Sequence, residues 1–154
     1  SMSHGGMHHS PVKPTWVMPH PTESKVYIAG NGSDEIIEVN TALWEITNRI
    51  NTGKGPYNID ISADGKFLVA TLKSDAKTLV WELDKKNPSI ISNNSTVSHG
   101  VVISPDSKYA FVTVEGVGGD PGLVDVIDLE KAKVVSSVNI GKQAGGIAFW
   151  KIEE

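Results

Sequence analysis

The chain has 154 residues, a net charge of −4 and a pI near 5.7, and its 14 Lys and Arg are scattered, so it lacks the basic footprint of a nucleic-acid binder. It has no cysteine, which excludes disulfides, thiolate metal sites and cysteine nucleophiles. No apolar run approaches the roughly 18 residues of a membrane-spanning helix, and the N-terminus lacks the apolar core of a signal peptide.

Residues 1–14, SMSHGGMHHSPVKP, have no hydrophobic periodicity and read as a flexible arm. Imidazole and thioether groups suit copper, so His4, Met7, His8 and His9 are candidate ligands for copper or another divalent metal.

From Thr15 onward the sequence repeats. PTESKVYIAG begins at Pro21, SADGKFLVAT at Ser62 and SPDSKYAFVT at Ser104, and their register lysines Lys25, Lys66 and Lys108 are separated by 41 and 42 residues. A period near forty built from short alternating strands and tight turns is the signature of four-stranded propeller blades. The expected fold is all-β, a partial β-propeller over residues 15–154. Its antiparallel blades fall at about 15–55, 56–97 and 98–142. QAGGIAFW aligns with GPYNIDIS and VSHGVVIS, so residues 147–150 are expected to form one extra innermost strand.

SPDSKYAFVTVEG followed by GLVDVIDLEKAKVVSSVNIG resembles the YVTN-type β-propeller repeat, and the resemblance extends over residues 15–150. It implies the propeller fold and little about chemistry, because one fold hosts unrelated activities. Relatives in that family include surface-layer and extracytoplasmic binding proteins and the haem-carrying propeller of d-type haem nitrite reductases. The resemblance thus implies a periplasmic or secreted location and, more remotely, a haem partner. Family members have about seven or eight blades, where this chain encodes three.

In a propeller, the loops leading into the innermost strands and those between second and third strands gather around the channel mouth. Register brings Tyr57, Asn58 and His99 there from the first set, and Lys73, Glu115 and Asp120 from the second. These six are the candidate ligand-binding residues. His99, with a carboxylate such as Glu115, is also a candidate metal or axial ligand. His20 falls in a turn on the opposite face. No Gly-x-Ser-x-Gly elbow or phosphate loop occurs, and no catalytic residue stands out.

An open three-blade stack exposes two apolar sheet faces, expected to carry Val26, Ile28, Ile36 and Val39 at one end and Val124, Val126, Ile127 and Val138 at the other. Two chains head to tail would cover both in a homodimeric ring of about six blades, with Ile147–Trp150 as a clasp on the partner's first blade. The expected function is a non-catalytic binding or scaffold protein that completes its ring by self-association. It would take a small-molecule or protein ligand at the channel face. A metal- or haem-associated redox propeller using His99, and a lactonase- or lyase-like enzyme, are the alternatives.

Overall fold

A computed structural model describes residues 10–151 and residue 153. The described chain is all-β, with twelve strands in three four-stranded sheets. Blade 1 contains β1 (Pro14–Pro19), β2 (Lys25–Gly30), β3 (Glu35–Asn40) and β4 (Glu45–Asn51). Blade 2 contains β5 (Pro56–Ile61), β6 (Phe67–Leu72), β7 (Lys77–Glu82) and β8 (Ser89–Ser92). Blade 3 contains β9 (Val97–Ile103), β10 (Tyr109–Glu115), β11 (Gly122–Asp128) and β12 (Lys133–Gly141). Each sheet is an antiparallel meander in chain order, and β1, β5 and β9 stand side by side as innermost strands. No helix among the described residues is long and apolar enough to cross a membrane.

Because side chains alternate across a strand, each blade offers one face to the blade before it and one to the blade after it. Tyr27, Ala29 and Ile36 of blade 1 meet Ile59, Ile61, Leu68, Ala70, Leu72, Leu79 and Trp81 of blade 2. Phe67, Val69 and Val80 leave the other side of blade 2 to meet Val101, Ile103, Ala110, Val112, Val114, Ile127 and Leu129 of blade 3. These two layers form the core. At roughly 25 cal/mol per Å² of apolar area removed from water, they are the main source of stability.

The backbone corrects the register for blade 1. The N–H groups of His20, Ser62 and Ser104 donate to the carbonyls of Lys25, Phe67 and Tyr109, so these triplets are the true equivalents. Lys25 therefore matches Phe67, not Lys66, and the spacing is a uniform 42 residues. His20 takes the place of Ser62 and Ser104. A one-residue slip reverses the face of every side chain in a strand.

Two further expectations are revised. Ile36 and Ile127 are buried against blade 2 instead of lying on the open ends, because alternation along the strand puts their neighbours Ile37 and Val126, not them, on the side away from blade 2. Residues 143–150 form no strand. They lie against blade 3, where Gly145 accepts a hydrogen bond from the Thr113 hydroxyl and Ala144 is buried against Gly122. The neighbouring strand that would pair with an innermost strand is absent from this stretch of chain, so no ladder forms.

Candidate functional site

Turn chemistry sets the channel-face loops. Asp34 accepts the Gly55 N–H at 2.9 Å and the Lys54 ammonium at 2.6 Å, while Asp75 accepts the Lys54 N–H at 3.0 Å. The Lys54 ammonium and the Gly55 N–H together hold the Asp34 carboxyl below the usual carboxylate range. The segment leading into β5 is thereby pinned between two carboxylates, and Tyr57 follows it directly.

Tyr57 and His99 occupy equivalent places at the starts of successive innermost strands. Each presents its carbonyl to a threonine hydroxyl of the preceding blade or strand pair: Thr15 reaches Tyr57 at 2.8 Å, and Thr71 reaches His99 at 2.8 Å. Their rings are brought together, with centroids 5.0 Å apart and planes inclined by 57°. The Lys73 ammonium lies 4.4 Å from the centre of the Tyr57 ring, a cation–π contact. Lys73 makes no ion pair among the described residues. Three residues singled out in the sequence thus form one half-buried cluster of two rings and an unpaired cation.

The other three do not join it as ligand contacts. Asn58 is used within the fold: its N–H donates to Thr71 Oγ1 at 3.1 Å, and its Oδ1 accepts the Val101 N–H at 3.4 Å. Glu115 pairs with Val97 at the end of β10, and its carbonyl takes the Ser95 and Thr96 hydroxyls. Asp120 is exposed in the loop between β10 and β11. No hydrogen bond or ion pair links either carboxylate to His99. Among the described residues no group of three or more His, Asp or Glu is arranged to hold a metal ion. His4, Met7, His8 and His9 lie outside the described residues.

Two polar features escape a reading of loops alone. On the opposite face His20 is buried, with Nδ1 accepting the Thr22 and Glu23 N–H groups at 3.3 and 3.0 Å while Nε2 donates to the Gly65 carbonyl of blade 2 at 3.0 Å. Gly65 has φ +74°, and a Cβ there would lie 2.7 Å from the His20 ring, so the approach requires glycine. The second feature is Asp125, fully buried between blades 2 and 3. It accepts from the Asn93 side chain, the Asn94 side chain and N–H, and the Ser137 hydroxyl, at 2.7 to 3.0 Å. Its partner Asn93 arises from the NNST turn, a signal that local sequence does not connect to a residue 32 positions away.

No protein-family model and no curated protein matches the sequence. Among solved structures, hydrazine synthase of Kuenenia stuttgartiensis is similar with a TM-score of 0.63 at 16% identity, over 92% of this chain and 53% of that one. The structures titled U3-55K and RRP9 WD40 repeats are each similar with a TM-score of 0.72 at 16% identity, over 85% of this chain and 40% of theirs. The chain thus has a β-propeller fold and spans about half or less of the length of these structures.

Proposed function

We propose that this chain is a non-catalytic propeller module that binds a ligand at its channel face and completes its ring with a second copy of itself. The observation that carries the binding half is the Tyr57–His99–Lys73 cluster. Two half-buried rings give an apolar platform, and an ammonium without a carboxylate partner gives an anion site beside it. The arrangement suits a carboxylate carried next to an aromatic or apolar group, whether on a small molecule or a peptide.

Self-association is supported by the repeat itself. Tyr109, Phe111 and Val126 at the open end of blade 3 are the equivalents of Phe67, Val69 and Val80, which pack between blades 2 and 3. Val17, Val26 and Ile28 at the open end of blade 1 are the equivalents of Ile59, Leu68 and Ala70, which receive blade 1. The last face of one copy therefore matches the first face of another in the same register. β1 already fills the innermost position of blade 1, so Ile147–Trp150 has no vacant edge to clasp there. With no strand pairing of its own, residues 143–150 are the segment that yields on closure.

The binding half is tested by titrating isotope-labelled full chain with hippurate, and with benzylamine as the cationic control. Saturable shifts of the His99 and Tyr57 ring resonances with hippurate, lost in Lys73→Ala, are expected. Equal response to both compounds, or to neither, contradicts it.

A further inference from the structure

The repeat provides an internal control for each blade interface, and the one between blades 1 and 2 departs from it. Where blade 2 sends Phe67, Val69 and Val80 toward its successor, blade 1 sends Lys25, Tyr27 and Glu38. The β2–β3 pair Tyr27–Glu38 is the counterpart of the β6–β7 pair Val69–Val80. Along this edge the interface is not closed. A cleft of about 400 Å³ opens on the face opposite the channel mouth, with Tyr27, Lys25 and Glu38 on one wall and Lys66, Glu82 and Asp84 on the other. That volume is within the roughly 300–1,000 Å³ of small-molecule sites.

The polar side chains in the cleft are held in place. Tyr27 is 2% exposed, stacks edge-on against Trp81 with centroids 6.2 Å apart, and donates its hydroxyl to Glu38 Oε2 at 3.0 Å. Thr47 donates to Glu38 Oε1 at 2.6 Å. A carboxylate has about four lone-pair sites, so these two hydroxyls leave acceptor capacity on Glu38. The Glu38 side chain is 13% exposed, and the nearest ammonium, that of Lys25, is 4.0 Å away because it is drawn to Glu23 at 2.8 Å. Valine stands at this position in blades 2 and 3, as Val80 and Val126, so the fold itself does not require a glutamate here. Asp125, polar where blade 2 has Leu79, spends its carboxylate on four hydrogen bonds within the fold, whereas Glu38 accepts two hydroxyls and keeps acceptor capacity on the cleft side.

We infer that the cleft between blades 1 and 2 binds a small organic cation, an alkylammonium or guanidinium group, with Glu38 as its principal partner. Glu23 is paired with Lys25 at 2.8 Å and Glu82 with Lys85 at 2.5 Å, which leaves Glu38 and Asp84 against Lys66 around the opening, so the local field favours a cation. Tyr27 fixes the carboxylate, and the walls of the adjoining blades remove it from bulk water, which strengthens a charge-assisted hydrogen bond. The site is separate from the channel-face cluster and does not depend on it.

The test titrates the full chain with agmatine, cadaverine and, as a side-chain source of the same chemistry, N-acetyl-Gly-Arg-Gly-amide, with glutarate as the anionic control. Saturable binding of at least one cation and none of glutarate is expected. Preference for agmatine or cadaverine over the tripeptide identifies a free amine, and the reverse identifies a peptide side chain. Glu38→Gln keeps an acceptor for one hydroxyl but removes the charge, and should weaken binding by about tenfold or more. Glu38→Val installs the residue of the other blades but leaves the Tyr27 hydroxyl without its acceptor, so it should abolish binding with a modest fall in unfolding midpoint that the double variant Tyr27→Phe, Glu38→Val recovers. No saturable binding of any cation, equal binding by Glu38→Gln, or a glutarate affinity matching that of the cations would overturn the inference.

Discussion

The hydroxyl of Thr71 lies 2.8 Å from the carbonyl oxygen of His99, so one fully buried side chain on the second strand of blade 2 fixes the innermost strand of blade 3. The Thr71 hydroxyl oxygen in turn accepts the Asn58 N–H at 3.1 Å, and Thr113 repeats both contacts, accepting from Gly100 and donating to Gly145. Inner strands have a free edge on the channel, and these threonines satisfy backbone groups that the sheet ladder leaves unpaired.

Thr71→Val removes both bonds while keeping the shape, and leaves the Asn58 N–H without its acceptor. It should cost about 1–3 kcal/mol in urea unfolding, whereas Thr71→Ser should recover most of that. An unchanged midpoint for the valine variant would show that the hydroxyl is not a blade-to-blade link.

Asp125 stands where blade 2 has Leu79, and it collects four hydrogen bonds with no exposure to solvent. Asp125→Ala should destabilise the chain by about 1–3 kcal/mol, because the link from the buried carboxylate to Asn93, Asn94 and Ser137 is lost and the half-buried Asn93 amide is left without its acceptor. Asp125→Leu should not rescue it, although leucine suits the equivalent place in blade 2. Chemical denaturation of the two variants beside the parent chain checks both expectations, and parity between Asp125→Leu and the parent would refute the role given to this knot.

Burial raises the Asp60 carboxyl above the usual range, partly offset by the N–H groups of Ile103 at 2.7 Å and Ile61 at 2.9 Å. The folded chain therefore holds this proton more tightly than the unfolded chain does. The contribution of Asp60 to stability grows as pH falls from the raised folded value toward the ordinary value of about 3.9, and is complete below it. Asp34 acts in the opposite sense, since its lowered pKa gives a contribution present above the ordinary value and lost as pH falls through the folded one. In Asp60→Asn, the stability deficit relative to the parent should widen on acidification through the Asp60 window. Urea midpoints at a series of pH values measure this, and a deficit that does not vary with pH would contradict it.

The blade period and the strand order were legible in the sequence, because turn spacing carries straight into loop position in a repeat protein, but which of Tyr57, Asn58, His99, Lys73, Glu115 and Asp120 touch one another was not. The cleft was hidden by the lysine register. Pairing Lys25 with Lys66 sets Tyr27 beside Leu68 and Glu38 beside Leu79, so the replacement of Phe67, Val69 and Val80 by Lys25, Tyr27 and Glu38 does not appear. The turns HPTESK and SADGKF have equal length, and backbone hydrogen bonds, not side-chain likeness, settle which residues correspond. Asn93 and Asp125 meet only through the stacking of two blades, which no local pattern encodes.

The central proposal is that two copies close one ring, and the direct measurement is mass in solution by sedimentation equilibrium across a range of concentrations. The full chain should approach twice the 16.5 kDa of one copy as concentration rises. A chain ending at Lys142, freed of the segment that lies against blade 3, should reach twice its own single-copy mass at lower concentration. A mass of one copy, 16.5 kDa for the full chain and correspondingly less for the shortened one, at every concentration would contradict the account.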